Sequence, residues 1–340
     1  MRVLITGGSG LIGRHLVQRV LKSGGRPVVV SRHSDLLRRN RESREYEVVQ
    51  GDVGVPGRWQ EAVDGCDAVV NLAGHNLFAE RWSAQVKRKI RDSRVYGSEH
   101  VAAAIASARS RPQVLVQGSA IGFYGPHGDE KLDETWPSGS DFLASVCREW
   151  EEASASVEAL GVRRAIIRTG VVLAPGEGAL KVMTPIFKFG LGAPVGGGGG
   201  MGPATGQQWM SWIHIDDIAG IFQLALDNPA ASGAINGTAP NPARNADFSR
   251  ALSKTLRKPY SPWPFFVPIG PPDPLLRLML GEVADVIAKG QKVLPTKALA
   301  LGYHFQHPDL TEALQDVFKP RPAPQPIPPA PVAPRAGSHH

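Results

Sequence analysis

The sequence predicts an α/β protein with a doubly wound parallel sheet and a smaller C-terminal α/β lobe that would hold a substrate. Apolar strand-like runs alternate with helical patterns over the first half of the chain, as in successive βαβ units. A glycine-rich turn joins the first strand to the first helix. The alternation stops after Arg168, so inserted loops and a C-terminal lobe are expected to form the second half.

The predicted elements follow from these patterns. Strands are expected at residues 3–6, 27–31, 47–50, 68–72, 114–118, 164–168 and 212–215, and helices at 11–22, 83–108 and 141–160. A further helix is expected to be capped by Asp216 or Asp217. The predicted domains are a nucleotide-binding domain (1–240, with loop insertions at 171–211), a C-terminal lobe (241–318) and a disordered proline-rich tail (319–340). The pattern assigns no role to the glycine-rich loop 197–205.

Composition limits the classes of function. The chain has 340 residues, 42% of them hydrophobic, with no apolar run of membrane-spanning length and no signal-peptide pattern, so a cytoplasmic protein is predicted. Cys66 and Cys147 fit no metal-ligand spacing, and no metal site is predicted. The net charge of +7 favours a site for an anionic cofactor over nucleic acid, because the densest basic run also contains acidic residues. We therefore expect a small-molecule substrate, no nucleic-acid or membrane partner, and a monomer or homodimer.

The glycine-rich turn predicts a dinucleotide site. It follows a strand and opens an amphipathic helix, the context in which glycines let the backbone approach a pyrophosphate at a helix N-terminus. The alternative is an ordinary glycine-rich turn. The expected cofactor-binding residues of this turn are Thr6, Gly7, Gly8, Ser9, Gly10, Leu11, Ile12 and Gly13.

The end of the second strand favours NADP(H). An NAD site of this design carries an acidic residue there, whereas this chain has Ser31 and Arg32, and a guanidinium can bind a 2′-phosphate. A plain surface role for Arg32 stays open because Asp35 is near in sequence.

Two further turns are expected to reach the cofactor. Asp52 and Val53 follow the third strand, near the expected adenine. Leu72, Ala73 and Gly74 follow the fourth strand as a turn of small residues. Ordinary turn chemistry is the alternative for both.

Several longer motifs resemble those of the extended short-chain dehydrogenase/reductases, and within them the atypical branch called the epimerase family. They are 93–94, 119–125, 141–151, 168–173, 208–217 and C-terminal pieces around 281–282, 290–292 and 302–305. The resemblance covers most of residues 1–318 and implies a Rossmann fold with the family's C-terminal domain. It also implies that Arg94 faces the cofactor, with a solvated helix arginine as the alternative.

The catalytic pair of the superfamily is missing. That chemistry needs a tyrosine and, four residues later, a lysine, but the corresponding helix has Phe142 with Val146 or Leu143 with Cys147. Ser119 and Tyr124 are the remaining candidates for polarising a substrate oxygen, with aromatic packing as the alternative for Tyr124. A buried structural role is predicted for Cys147.

The strand before His214 also departs from sugar-nucleotide enzymes. Met210 stands where those relatives carry an arginine, which weakens recognition of a nucleotide-sugar diphosphate. Gln207, Gln208, Trp209 and Trp212 would line an uncharged pocket or simply pack. His214 is expected to be a hydrogen-bonded strand residue. The sequence thus predicts an NADP(H)-binding oxidoreductase or epimerase-like enzyme acting on a small carbonyl or sugar-like substrate, and the alternative is a non-catalytic NADP(H)-binding or redox-sensing protein.

Overall fold

The computed structural model describes residues 1–34, 45–77, 79–190, 192–195, 205–260 and 289–319. The strands are β1 (Arg2–Thr6), β2 (Arg26–Ser31), β3 (Glu47–Gln50), β4 (Ala68–Asn71), β5 (Val114–Ala120), β6 (Lys131–Leu132), β7 (Arg163–Thr169), β8 (Val171–Ala174), β9 (Trp209–Met210), β10 (Trp212–His214), β11 (Gly233–Gly237), β12 (Ala243–Arg244) and β13 (Lys292–Val293). The α-helices are α1 (Leu11–Lys22), α2 (Ala84–Ser107), α3 (Phe142–Glu152), α4 (Gly178–Lys188), α5 (Ile215–Asp227), α6 (Asn245–Thr255), α7 (Thr296–Ala300) and α8 (Leu310–Val317).

The main sheet is seven-stranded and parallel, in the order β11-β7-β5-β4-β1-β2-β3. Both faces are covered. Val3 and Ile5 of β1 pack with α1 and α5, whereas Leu4 packs on the opposite face with α2. Chain order reverses between β1 and β4, and ligands of doubly wound sheets bind at such a reversal beside the carboxyl ends of the strands. The predicted fold class is confirmed.

One predicted helix is broken. The expectation of a continuous helix over 141–160 is wrong, because α3 ends at Glu152 and a 3₁₀-helix, Ala155–Leu160, follows it. Ser154 donates its hydroxyl to the carbonyl oxygen of Glu151, and Arg164 donates a guanidinium N–H to the same oxygen at 2.6 Å. These bonds satisfy a carbonyl that the next helical turn would have used.

The second half of the chain adds three small two-stranded sheets, formed by β8 with β10, β9 with β12, and β6 with β13. The predicted cap of α5 is wrong. Neither Asp216 nor Asp217 caps this helix, because Nδ1 of His214 accepts the N–H of Asp216, and both acids lie in the first turn. Residues 289–319 return to the main body, where the Ser211 hydroxyl donates to Gln291 O and accepts from the Val293 N–H.

Several predictions concern segments outside the described residues. They include Asp35, residues 197–204 of the glycine-rich loop, and residues 320–340 of the proline-rich tail. No helix in the described ranges combines the length and the apolar character needed to cross a bilayer.

Candidate cofactor and reaction site

The glycine turn between β1 and α1 is a close-packed backbone structure. Gly7 has a φ of +67°, and a Cβ on it would lie 2.7 Å from the carbonyl carbon of Leu72. A Cβ on Gly13 would lie 2.2 Å from the carbonyl oxygen of Gly7, and one on Gly8 would lie 2.7 Å from Val29. Each of these positions therefore requires glycine, because a larger residue would push α1 or β4 away from the turn.

The N-terminus of α1 can receive an anion. The helix begins at Leu11, its N-cap Gly10 offers no side-chain hydrogen bond, and its first turn carries no acidic residue. Backbone N–H groups at such an end have no partner within the helix, and they favour negative charge. Ser9 and Gly10 are exposed and Ile12 is half-buried. These residues fit a pyrophosphate in the position that the sequence predicts.

The Thr6 side chain stabilises the backbone around this site. Its buried hydroxyl donates to Oδ1 of Asn71 at 2.6 Å and accepts the N–H groups of Leu72 and Ala73. Asn71 donates in turn to Gln117 on β5 at 3.1 Å. Thr6 therefore fixes the turn after β4 to the end of β1, a positioning role that the sequence alone did not separate from direct contact.

The end of β2 presents the predicted basic residue to solvent. Arg32 is exposed, and its backbone carbonyl accepts a bond from the Gln50 side chain at 2.8 Å. Ser31 is nearly buried, and its hydroxyl accepts the N–H of His33. Arg32 thus directly follows the carboxyl end of β2, the region in which folds of this kind recognise the 2′ position of the cofactor ribose.

Asp52 and Val53 occupy the turn after β3. The Asp52 carboxylate accepts the N–H of Gly54 at 2.9 Å, the pattern of an ordinary turn acid. Val53 is buried in the core cluster beneath α2, and its carbonyl accepts a bond from His100. Asp52 is exposed at the edge where the adenine is expected.

Arg94 of α2 lies directly under the turn after β4. The Cβ of an alanine at Gly74 would be 3.2 Å from Cζ of Arg94. The guanidinium donates to the carbonyl oxygens of His75 and Ile90 and lies 5.1 Å from the ring centre of Trp150. Burial lowers the pKa of this arginine below its usual value. Arg94 therefore faces inward, beside the cofactor turn.

The structure distinguishes the two registers of the missing catalytic pair. Phe142 packs edge-on against Trp82, with ring centres 5.5 Å apart, and Val146 packs on α2. Leu143 and Cys147 instead face the 3₁₀ turn Ile121–Tyr124 after β5, where a Cβ on Gly122 would lie 3.4 Å from Leu143 Cβ and 3.8 Å from Cys147 Sγ. The position next to the reaction site is thus occupied by an aliphatic side chain and a thiol.

Cys147 is buried and inert, as predicted. Burial, with a further contribution from the Glu151 carboxylate, raises the pKa of its thiol to about 12, although Arg94 opposes the shift. Reactive cysteines have a lowered pKa and partial exposure. The thiol therefore stays protonated at neutral pH and is neither a nucleophile nor a base.

Ser119, a predicted catalytic residue, belongs to a buried ionic network. Its hydroxyl donates to Oε1 of Glu151 at 2.6 Å. Arg168 binds both oxygens of the same carboxylate, with each bond 2.9 Å long, and its guanidinium carbon lies 3.4 Å from the Phe123 ring centre. The proton of Ser119 is therefore directed into the protein.

Tyr124, the second predicted catalytic residue, is also satisfied internally. Its phenol is 1% exposed, donates to Oδ1 of Asn236 at 2.7 Å, and accepts from Arg168 at 3.0 Å. Burial raises the pKa of the phenol, although the Arg168 charge opposes the shift. This geometry favours the packing interpretation of Tyr124.

Sequence reasoning missed the roles of Glu151, Arg168 and Asn236. The available signal was charge in apolar surroundings, because Arg168 ends an apolar strand and Glu151 follows Cys147 by one helical turn. Glu134 was also missed. Its carboxylate accepts the backbone N–H groups of Asn236 and Lys297.

The glutamine and tryptophan residues in and around β9, expected either to line a pocket or to pack, differ in their burial. Trp212 is fully buried and donates to Asn241 O, and Gln208 donates to Val195 O. Trp209 is half-buried between the cations of Arg244 and Lys292, which lie 4.1 and 4.0 Å from its ring centre.

Comparison with known proteins identifies the family. A profile of the NAD dependent epimerase/dehydratase family matches residues 3–236, and a domain of unknown function, DUF1731, matches residues 271–317. The chain is 39% identical over 321 residues to "Epimerase family protein SDR39U1 homolog, chloroplastic" from Arabidopsis thaliana, covering 94% of this chain and 87% of the relative. It is 32% identical to "Epimerase family protein YfhF" from Bacillus subtilis, covering 94% and 99%.

Solved structures agree with this result. Human epimerase family protein SDR39U1 (isoform2), crystallised with NADPH, superposes with a TM-score of 0.78 at 31% identity, covering 93% of this chain and 99% of that one. A Thermus thermophilus UDP-glucose 4-epimerase complexed with NAD has a TM-score of 0.71 at 20% identity, covering 93% and 98%, and shares the fold. The chain therefore belongs to the NAD dependent epimerase/dehydratase family, with the SDR39U1-type epimerase family proteins among its relatives.

Proposed function

We propose that this chain binds NADP(H) and acts as a slow oxidoreductase or epimerase-like enzyme on a small carbonyl or sugar-like substrate. The observation that carries the proposal is the glycine turn, packed so tightly at Gly7 and Gly13 that a Cβ would clash, next to an uncapped helix N-terminus. The NADPH in the human relative's crystal structure supports the choice of cofactor.

The proposed cofactor-binding residues form one continuous edge. Backbone from Gly7 to Gly13 would receive the pyrophosphate, Ser31 and Arg32 the 2′-phosphate, and Asp52 with Val53 the adenine side. Leu72, Ala73 and Gly74 would border the nicotinamide half. When bound, NADP(H) would supply or accept a hydride.

Arg94 would provide the cation at the reaction end of this edge. The lysine of the superfamily would stand at Cys147, and the Cys147 thiol is electrostatically coupled to the Arg94 guanidinium. Arg94 also lies against the Gly74 turn. A guanidinium keeps its charge even when burial lowers its pKa, so Arg94 can bind a ribose hydroxyl or polarise a carbonyl oxygen. It cannot serve as a proton donor, and protonation would then depend on water, which makes turnover slow.

The alternative, a non-catalytic NADP(H)-binding or redox-sensing protein, is favoured by a separate observation. The hydroxyl protons of Ser119 and Tyr124 are both directed to partners inside the fold. Ser119 remains a candidate for contact with substrate, because it lies at the carboxyl end of β5. The cytoplasmic location and the monomer or homodimer stay predictions, and one relative is named chloroplastic.

Cofactor titration tests the proposal. Charge-assisted hydrogen bonds contribute about 1.5–3 kcal/mol, so NADPH should bind roughly ten- to a hundredfold more tightly than NADH, and Arg32→Ala should remove the difference. Arg26→Ala, at the opposite end of the same strand, is the matched control and should keep it. Equal affinities in the unmodified protein would refute the assignment of the 2′-phosphate.

A second pair of variants tests Arg94. Arg94→Met should lower NADPH-dependent reduction of a reactive aldehyde or quinone, whereas Arg88→Met, an exposed position on the same helix, should not. Turnover that is equally absent in both variants and in the unmodified protein, with NADPH still bound, would favour the sensing alternative.

A further inference from the structure

Four potential metal ligands converge at a place remote in sequence from the glycine turn. One ligand atom each from His214, Asp216, His307 and Asp316 lies within 4.8 Å of all the others. His214 ends β10, Asp216 is in the first turn of α5, His307 precedes α8, and Asp316 is in the last turn of α8. The fold thus gathers two imidazoles and two carboxylates from two segments about 90 residues apart.

The imidazole of His214 has a buried ring nitrogen without a hydrogen-bond partner among the described residues. The side chain is fully buried, and this nitrogen is Nε2. This atom is directed into the cluster, 3.5 Å from Oδ2 of Asp316. The His307 ring lies against it, with ring centres 3.8 Å apart. Buried polar atoms are nearly always satisfied, so an unsatisfied one calls for a ligand or an ion.

The ligands are held in place by other bonds. The buried Asp217 carboxylate accepts the backbone N–H groups of Gln306 and His307 at 2.8 and 3.0 Å, which fixes His307 against α5. Asp309 caps α8 by accepting the N–H of Thr311 at 2.8 Å. Ala313, Leu314 and Val317 of the same helix are buried in a core cluster, which holds the helix that carries Asp316 against the body.

We propose that Nε2 of His214, a ring nitrogen of His307 and Oδ2 of Asp316 bind a divalent first-row transition-metal ion of the Zn²⁺ class. Two imidazoles and a carboxylate are a donor set that zinc accepts, with water in a fourth position. Lys319 pairs with the other oxygen of Asp316, Oδ1, at 3.2 Å.

Metal binding at Nε2 would move a proton within the His214 ring. Without metal, Nδ1 accepts the Asp216 N–H at 3.2 Å, so the neutral ring carries its proton on Nε2. Metal binding at Nε2 would require the proton on Nδ1, so the bond from the Asp216 N–H would be lost. The Nδ1 proton would then face the Asp216 carboxylate, which lies 3.7 Å away. Asp216 would then orient the ligand, as carboxylates commonly do for metal-bound histidines. The site would link the C-terminal segment to the sheet, independently of the cofactor.

No sequence pattern indicated this site. The expectation of no metal site rested on cysteine spacing. These four side chains come together only because residues 289–319 pack on the main body. His307 and Asp316 have no short-range spacing to His214 that a motif would capture.

Zinc binding to the full chain tests the proposal. Protein stripped with EDTA, then incubated with Zn²⁺ and dialysed, should retain one Zn²⁺ per chain by metal analysis. Its melting temperature should exceed that of the stripped protein, because a ligand that binds only the folded state stabilises it. Asp316→Asn and His307→Gln should lose both effects. The chain ends in adjacent histidines, so His339→Gln/His340→Gln is the matched control and should keep both.

Several results would overturn the site. They are an unmodified protein that retains no Zn²⁺, undiminished binding in Asp316→Asn, and loss of the ion in the His339→Gln/His340→Gln control. If Asp316→Asn does not fold, His307→Gln decides between the same outcomes. Co²⁺ gives a further measurement on the unmodified protein: a visible spectrum of tetrahedral nitrogen and oxygen ligation supports the site, and an unchanged spectrum of aqueous Co²⁺ contradicts it.

Discussion

Two regions at the carboxyl ends of the strands are built in opposite ways. We call the region after β1 and β2 the cofactor edge and the region after β5 and β7 the reaction edge. At the ends of β1 and β2 the backbone turns around glycines, and polar groups such as the N–H groups of α1 and the Arg32 guanidinium remain available. At the ends of β5 and β7 the polar groups of Ser119, Tyr124, Glu151 and Arg168 bind one another. The first edge is prepared for a ligand, whereas the second is already satisfied without one.

The polar network of the reaction edge is a structural element in its own right. Leu143 and Cys147 stand where the family resemblance implies the catalytic tyrosine and lysine. Glu151, one helical turn after Cys147, and Arg168 of β7 form a buried ion pair. Buried charges must remain paired, so removal of either partner should destabilise the fold.

The largest expected effect is on the reaction edge. Glu151→Gln should destabilise the fold by about 3–5 kcal/mol, because it leaves the Arg168 guanidinium buried without its counter-charge. Glu149→Gln is the matched control, since Glu149 pairs with Arg91 at the surface, where an ion pair contributes about 0–1 kcal/mol. Urea unfolding measures both, and similar losses in the two variants would contradict the difference.

A substitution on the cofactor edge comes next. Gly13→Ala should abolish detectable NADPH binding and lower stability by about 1–3 kcal/mol, because its Cβ would overlap the Gly7 carbonyl. Gly57→Ala should change neither, since its backbone is extended and its Cβ would make an ordinary contact with Trp59. Fluorescence titration and thermal melting are the measurements. Retained affinity in Gly13→Ala would show that the cofactor does not use this turn.

A smaller effect is expected for the phenol. Tyr124→Phe should cost about 1–2 kcal/mol, because Asn236 Oδ1 and an Arg168 N–H lose their partner in the interior. NADPH affinity and any turnover should be unchanged. Tyr96→Phe, on the exposed face of α2, should leave stability unaltered. Abolished turnover with normal stability in Tyr124→Phe would restore this residue as the proton donor.

The smallest effect concerns Cys147 and appears only in alkali. Its folded-state pKa of about 12 lies above the ordinary value of 9.0, so its contribution to stability is complete below pH 9 and is lost as the pH rises toward 12. Relative to Cys147→Ala, the unmodified protein should lose roughly 1.4 kcal/mol of additional stability by pH 10. Parallel pH profiles for the two proteins would contradict the burial of the thiol.

The sequence predicted the fold and the glycine turn between β1 and α1 because both depend on local patterns. Glycines at fixed offsets determine a turn, and apolar periodicity determines strands and helices. The reaction edge depends on contacts such as Tyr124 with Asn236, 112 residues apart, which no local pattern encodes. The end of the helix at Glu152 was missed for the same reason, since a strand residue, Arg164, donates to the carbonyl oxygen of Glu151.

The return of the C-terminal segment has a consequence for the order of folding. Gln291 donates its amide to Ile121 O across 170 residues, and β13 pairs with β6 beside the same turn. Contacts this distant in sequence form late, because a long loop must close before they are made. On the ribosome, we expect the glycine turn and its neighbouring strands to form while synthesis continues. The reaction edge cannot be complete until residues 291–293 have been synthesised. A nascent chain should therefore be able to bind its cofactor before its reaction edge has formed.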